Sequence, residues 1–499
     1  IESRPVDVEY VRLLHEIHAD NIFRHNYRGY TILHPSNTKK INRDIKYYPE
    51  KKRPVWFVFS SMGSEWPSMG ASLLQFPVFA SAIKRCSAVL KKCGVDIYNI
   101  LTNSNKSIFD NIVNASVGVA AVQIGLVDLL MSLKIVPDGL IGYSVGELVC
   151  AYADGCLTAE QVILATYYRS IVIKERNKIR GSMAIVGASY RDIKDFCPPG
   201  IEVVCHNSHE SSTVSGPVEP IRDFVAKLIE NNIFAEEVPC NGVAYHSTHI
   251  ADVGPELYAH LKKIIPAPKA RSSKWHSTSV PRSYWNSPQA KLSSAEYYTN
   301  NVLSPVLFEE TTALVPKNAI TIEVAPRGIL QDILAVSLNR QSTNIALIEN
   351  SYGDTVESFL QALGQLYEVG LQPALWKLYP EVQFPVSRKT PMISPLIKWD
   401  HSQDWFVTSY RSKDKITSGE RVVDVSLNDE EHEYMAGHVI DGKNLLPATG
   451  YLAFVWETVG MMRGELHTEV SVVFEDVKFM RATTLSKEND IKIIVMIHK

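Results

Sequence analysis

The sequence predicts an α/β protein. It has a parallel-sheet core, a small β-α-β-β-α-β unit inserted into that core, and a second α+β domain that is only partly built. Three observations carry this. Two compact apolar runs, PVWFVFS from Pro54 and GLIGYS from Gly139, flank a long apolar helical stretch, which is the strand–helix–strand order of a buried parallel sheet. Residues 182–239 then switch to short alternating strand and helix patterns. After a proline-rich stretch at 373–395 the rhythm changes a third time.

Residues 1–53 are mixed and polar and end in Lys51-Lys52-Arg53. Pro54–Ser60 opens the core as a buried strand. VGVAAVQIGLVDLLMSL, residues 117–133, is the longest apolar stretch, but it carries Gln123 and Asp128 and has no flanking anchors. It therefore reads as a buried helix and not as a membrane span. Pro137 and Asp138 make a turn into GLIGYS. In the inserted unit, SMAIVGAS is a strand, RDIKDF a short helix, EVVCHN and STVSG two strands, PIRDFVAKLIENN a helix and FAEEVP a last strand. That order is the ferredoxin-like unit, placed at about 182–240. Pro373, Pro380, Pro385, Pro391 and Pro395 favour an extended, semi-rigid linker. FVTSYR and RVVDVSL are expected as strands. Pro447 is expected as the first residue of a helix through ATGYLAFVWETVGMM, apolar on most sides and so wrapped by other structure. SVVFEDVKFMRA and DIKIIVMI are expected as further strands. A sheet curled around one apolar helix is a hot-dog arrangement, barely built where the chain stops at Lys499.

The bulk numbers narrow the function. With 499 residues the chain is long enough for several domains, and 45% apolar residues supply large cores. A net charge of −3 gives no basis for nucleic-acid or membrane binding. The seven cysteines between Cys86 and Cys240 show no CxxC pair and no metal spacing. They read as reduced thiols of a cytosolic protein, with no metal site. No secretory signal follows Ile1, and the chain does not open with methionine, so we expect a piece of a longer polypeptide.

The chemistry centres on Ser144. Gly142, Ser144 and Gly146 form GxSxG between a strand and a helix, the setting of a nucleophile elbow. Flanking glycines permit the sharp turn, and the helix N-terminus favours negative charge near the hydroxyl, with the Val145 N–H as an oxyanion donor. The serine needs a base. His246, in NGVAYHSTHI just after the inserted unit returns to the core, is placed to provide it, the plainer reading being a surface or core histidine. Arg169 sits in ATYYRSIVI on a mainly apolar helix, which Thr158 and Gln161 open with a capping box. A buried guanidinium needs a partner: a structural Asp or Glu on the plainer reading, a substrate carboxylate on the sharper one.

These pieces together resemble a known family. GYSVGELVCAYADG, YYRS, CHNSHESSTVSGP and AYHS, with SSMGSEWPSMG upstream and SAEYYTNNVLSPVLF and IEVAPRGILQ downstream, resemble the malonyl/acetyl transferase domain of animal fatty acid synthase. RKTPMISPLIKWDHS resembles the linker after that domain, and GHVIDGKNLLPATGYL resembles the HxxxGxxxxP motif of its dehydratase. The resemblance implies an acyltransferase core of the α/β-hydrolase-like kind at 54–365, preceded at 1–53 by a ketosynthase-to-acyltransferase linker domain and followed by a linker at 366–405 and the N-terminal part of a dehydratase hot-dog at 406–499.

It also implies roles. Ser144 is acylated by malonyl-CoA or acetyl-CoA, with His246 as base and then acid, oriented by backbone alone. The N–H groups of Met62 and Val145 form the oxyanion hole. Arg169 binds the malonyl carboxylate, with Tyr245 and Glu65 beside the substrate. The acceptor is the phosphopantetheine thiol of an acyl carrier protein, and no cofactor is bound by the chain itself. Partner domains are a ketosynthase and the second half of the dehydratase, which supplies the acid for His438. Three positions depart from the pattern: Tyr143 stands for the usual histidine, Glu65 for the usual glutamine, and Ser116 where animal enzymes often have phenylalanine. Glu65 is expected to pair with Arg169 and weaken malonyl loading. Two other readings stay open, a serine hydrolase and a catalytically impaired scaffold.

Overall fold

The computed structural model describes residues 7–17, 26–33, 42–48, 51–349, 354–394 and 419–498. It divides into two compact units, Ile1–Ser394 and Pro395–Lys499.

The core of the large unit is a five-stranded parallel sheet in the order Trp275–His276, Gly139–Gly142, Val55–Phe59, Ile320–Val324, Thr343–Ala346. The central strands are buried along their whole length, as expected of parallel strands covered on both faces, and this is why they read as unbroken apolar runs. The helix expected at 117–133 runs from Ile112 to Ser132, capped by the Asn111 side chain, and is buried on nearly all sides. It packs against the helices Pro77–Leu90 and Ala159–Arg176. Each large aliphatic side chain it withdraws from water contributes roughly 1.5–3 kcal/mol.

The inserted unit has the predicted element order. Its strands Glu202–Ser208, Ser211–Pro217, Gly181–Val186 and Ala235–Val238 lie side by side in that order, all antiparallel, which is the ferredoxin-like arrangement. A short strand, Val306–Leu307, extends the sheet by pairing parallel to Glu202–Ser208 and so couples the insert to the core.

Residues 1–53 contribute a helix, Val8–Ile17, and an antiparallel ribbon, Tyr27–Ile32 with Asn42–Tyr47. The ribbon is tied to the far end of the large unit. Arg28, buried, donates to the carbonyls of Tyr367 and Leu371 at 2.9 Å each. These lie at the C-terminal end of the helix Thr355–Glu368, where the last carbonyls lack helical partners and attract a cation. The expected linker therefore begins inside a helix. Beyond Glu368 it forms one short turn, Leu375–Leu378, and residues 379–393 contain neither strand nor helix.

In the small unit, Glu420–Val425 pairs antiparallel with Ile491–Met496, and a helix, Ala448–Arg463, packs over them around Val423, Val425, Phe454 and Val495. Three expectations need correction. Pro447 is the residue before the helix, not its first. The helix is not wrapped on all sides: Gly450, Phe454, Thr458 and Gly460 are buried and the remaining positions are half-buried or exposed, because the two-stranded ribbon and the turn His467–Glu469 cover only part of it. SVVFEDVKFMRA forms no strand, and Val473 and Met480 are 85% and 90% exposed. β-propensity cannot act without a neighbouring strand to take the backbone N–H and C=O groups. FVTSYR lies outside the described residues.

Candidate active site

The strand Gly139–Gly142 turns into the helix Gly146–Ala153 through Tyr143, Ser144 and Val145. The approach is too close for side chains at the two glycines. A β-carbon on Gly142 would lie 2.4 Å from the Glu147 nitrogen, and one on Gly146 would lie 2.3 Å from the Phe59 carbonyl oxygen. Ser144 itself takes a φ of 53°, a left-handed conformation that costs a non-glycine residue about 1–2 kcal/mol. Several contacts hold this turn. The Thr278 hydroxyl donates to Gly142 O at 2.6 Å, and Asn301 Nδ2 donates to Ser144 O at 3.2 Å. Beneath it, the buried Glu147 accepts three hydrogen bonds, from Trp275 Nε1 and Tyr297 Oη at 2.7 Å each and from Thr278 N at 2.6 Å, and Thr278 Oγ1 lies 2.9 Å from the same carboxylate. Burial raises its pKa, opposed first by the Thr278 N–H and then by Tyr297. These bonds lock the helix start to the edge of the sheet.

His246 is brought to this turn from 102 residues away, and its Nε2 lies 2.7 Å from Ser144 Oγ. Its Nδ1 lies 3.0 Å from Ser304 O. A carbonyl only accepts, so Nδ1 carries the proton and the Nε2 lone pair faces the serine hydroxyl. Burial, and secondarily the charge on Arg169, pushes the imidazole down from 6.5 to about 3. The ring is therefore neutral at pH 7 and available as a base. Between about 6.5 and about 3 the unfolded chain takes a proton that the folded one refuses, so this histidine costs stability as pH falls through that window.

Arg169 completes the cluster. It is 6% exposed, against 7% for Ser144 and 3% for His246. Its Nη2 donates to Ser144 Oγ at 3.1 Å and its Nη1 to Asn301 Oδ1. Burial lowers it to about 10, which leaves it charged at pH 7. No carboxylate pairs with it among the described residues. The plainer reading, a structural acid, is thereby set aside, and a buried cation stands without a counter-charge beside the Ser144 hydroxyl.

These groups open onto a cavity of about 390 Å³ whose wall includes Met62, Ser116, Tyr143 and Tyr245. Among the described residues, the N–H groups of Met62 and Val145 have no acceptor, the condition for an oxyanion hole. The Met62 loop is braced from both sides. Arg327 Nη2 donates to Gly63 O at 2.9 Å, and Glu323 accepts from Ser60 Oγ, from Ile329 N at 2.8 Å and from Leu330 N at 3.0 Å. Tyr143 keeps the elbow intact and donates to Asn207 Oδ1 at 2.8 Å, tying the turn to the inserted unit. The Tyr245 hydroxyl is buried with no partner among the described residues. Ser116 donates to Ile112 O at 2.8 Å.

Glu65 does not do what was expected of it. Its carboxylate accepts the Gly63 N–H at 2.7 Å, because a loop N–H two residues away is captured before a guanidinium deeper in the protein. It is not part of the cavity wall and does not pair with Arg169. Glu65→Gln keeps an acceptor for the same N–H, so malonyl loading is expected to change less than about twofold, measured as initial rate of label incorporation. A rise of tenfold would restore the Glu65–Arg169 pair.

His438 lies in the small unit, half-buried, between the turn Glu433–Gly437 and a hairpin closed by Asp441 and Gly442. No described carboxylate pairs with its ring.

The structure brings Ser144, Val145, His246, Arg169, Met62 and Tyr245 to one place, together with Glu147, Asn301, Asn207 and Ser304, which the motifs do not single out. Glu147 carries a signal, an acid in the first turn of an otherwise apolar helix. So does Asn301, a polar residue three and four positions after Tyr298 and Tyr297 on the same helix face in YYTNNVL. Ser304 contributes only a backbone carbonyl, and its side chain carries no signal for that.

Comparison with known proteins matches residues 56–373 to the family described as "Acyl transferase domain", and residues 411–499 to one described as "Polyketide synthase dehydratase domain". The chain is 26% identical, over 99% of its length, to the low-reducing polyketide synthase drtA of Aspergillus calidoustus, of which it covers 23%. It is 26% identical over 88% of its length to the highly reducing polyketide synthase PKS6 of Gibberella zeae, of which it covers 19%. It thus spans about a fifth of the length of the curated relatives it matches. In fold it is similar to the acyltransferase domain from the second module of the salinomycin polyketide synthase, with a TM-score of 0.63 at 20% identity, covering 74% of this chain and 87% of that one. It is also similar to a loading acyltransferase from the avermectin modular polyketide synthase, with a TM-score of 0.56 at 23% identity, covering 63% and 99%. These relatives are polyketide synthases of fungi, so the expected resemblance holds for the acyltransferase and the dehydratase segments and not for animal fatty acid synthase in particular.

Proposed function

The chain belongs to the acyl transferase domain family, and on that premise we propose that it moves malonyl and acetyl groups from coenzyme A to Ser144, and from there to the phosphopantetheine thiol of an acyl carrier protein. The observation that carries this is the buried Arg169, without a counter-charge, 3.1 Å from the hydroxyl that His246 holds at 2.7 Å. A carboxylate at the far end of a short acyl group supplies the missing charge while its thioester carbon sits at Ser144.

Ser144 Oγ attacks the thioester carbonyl as its proton passes to His246 Nε2. The carbonyl oxygen gathers negative charge and is met by the N–H groups of Met62 and Val145. The C–S bond breaks, and coenzyme A leaves as the thiol with the proton from His246. The carrier thiol then attacks the acyl-serine by the reverse sequence. The Ser304 carbonyl holds the imidazolium's Nδ1–H throughout. A hydrolase triad would place an acid in that position, which disfavours the serine hydrolase reading.

The larger assembly we propose is a multidomain synthase that builds carbon chains from malonyl units, with ketosynthase, carrier and dehydratase partners. The motifs resemble fatty acid synthase and the relatives are polyketide synthases. Loading at Ser144 is common to both, and the product of the whole protein separates them. The seven free thiols fit a reducing compartment, the cytosol. For the small unit we propose a structural role in this chain: the purified chain is expected to show no dehydration of a 3-hydroxyacyl thioester, and turnover above the uncatalysed rate would contradict that. The test of the main reading is incubation with labelled malonyl-CoA and acetyl-CoA, followed by mapping of the acylated residue by mass spectrometry. Malonyl on Ser144 supports it, and a folded sample without label refutes it.

A further inference from the structure

We propose that Asn301 is a specificity-determining positioning residue: it leaves the charge of Arg169 uncompensated, and therefore open to a substrate carboxylate, while fixing the guanidinium in register with the nucleophile. This rests on the acyl-transfer reading above.

Asn301 is 2% exposed on the helix Ala295–Leu303, and each of its amide atoms is committed. Oδ1 accepts from Arg169 Nη1. Nδ2 donates to Ser144 O at 3.2 Å and to Ser279 Oγ at 2.8 Å. One neutral amide thus holds both the carbonyl of the strained serine and one arm of the guanidinium whose other arm reaches Ser144 Oγ at 3.1 Å. The chemistry of an amide matters here in two ways. Its oxygen orients the guanidinium without cancelling its charge, and its nitrogen is a donor, which the Ser144 carbonyl requires. An aspartate at the same place has the same shape and neither property. Its Oδ1 would form a charge-assisted pair with Arg169 where the neutral bond now is, occupying the cation internally. Its Oδ2 would face the Ser144 carbonyl with no hydrogen to offer.

The two defects separate in the data. Loss of the donor to Ser144 O loosens the nucleophile and slows every acyl donor alike. Neutralisation of Arg169 acts only on donors that bear a carboxylate. A merely structural role for Asn301 therefore lowers malonyl and acetyl loading together, and the proposed role changes their ratio.

The experiment measures initial rates of Ser144 acylation by labelled malonyl-CoA and acetyl-CoA in the wild-type chain, in Asn301→Asp and in Asn301→Ala, with thermal melts for folding. In Asn301→Asp the malonyl-to-acetyl ratio is expected to fall by about tenfold or more. In Asn301→Ala, where Arg169 is unpinned but not neutralised, it is expected to fall by less. An Asn301→Asp ratio within twofold of wild type overturns the proposal. If Asn301→Asp takes neither label, Asn301→Ala decides by the same criterion, a lowered ratio supporting and an unchanged one overturning. Failure of the wild-type chain to load malonyl on Ser144 is a different result, and it overturns the acyl-transfer reading itself.

Discussion

Ser144→Ala is expected to take no acyl label from either coenzyme A thioester, and His246→Ala to load at a rate about 10²–10⁴ lower than wild type. The serine variant lacks the oxygen that His246 Nε2 faces, and among the other hydroxyls of the cavity wall Ser116 is bonded to a backbone carbonyl and Tyr143 to Asn207, not to a base. Its folding needs a control, because position 144 has a φ of 53° and alanine is strained there as serine is. Ser144→Gly relieves that strain and is equally dead, so an inactive but folded glycine variant assigns the loss to the missing oxygen. The histidine prediction carries a pH signature. Because burial and Arg169 push His246 down to about 3, the base is neutral throughout the range from about pH 5 to pH 8, and the loading rate is expected to be flat across it. A rate that halves near pH 6.5 would mean an imidazole in contact with water and a cavity wetter than the burial of this cluster implies.

Arg169→Ala is expected to lower malonyl loading by about 10²–10³ while acetyl loading persists. A malonyl carboxylate in this cavity without the guanidinium is a buried, unpaired charge, a penalty of roughly 3–5 kcal/mol. The acetyl group has no carboxylate and does not meet that penalty. The same argument reverses for stability. Since the cation has no carboxylate partner among the described residues, its removal takes away a desolvated charge, and the thermal midpoint is expected to hold or rise. Arg169→Lys does not rescue malonyl loading fully, because an ammonium cannot serve Asn301, Ser144 and a bound carboxylate in one plane. Equal loss of malonyl and acetyl loading in Arg169→Ala would show that the residue supports the elbow and does not read the substrate.

How much of this was legible in the sequence depended on range. GLIGYSVGE showed a strand, a turn and a helix because apolar runs and glycine spacing are local properties, and the turn was built as read. The inserted unit was legible for the same reason, six short elements each with its own period. SVVFEDVKFMRA misled because its strand-like pattern is also local, whereas pairing requires a neighbour. Glu65 misled because a loop decides locally which N–H a carboxylate takes. The choice of polyketide relatives over fatty acid synthase was not legible in motifs that both share.

What the sequence by itself determined is the elbow, its flanking glycines, the residue types of a serine–histidine dyad and an arginine out of place on an apolar helix. What only the tertiary structure decided is their conjunction. His246 reaches Ser144 across 102 residues, and Arg169 reaches Asn301 across 132. The Ser304 carbonyl that selects the histidine tautomer belongs to a residue whose side chain says nothing. Helical and strand periods are written in neighbours along the chain, but the charge state and direction of a buried group are set by what packs around it, and that is known only once the core has closed.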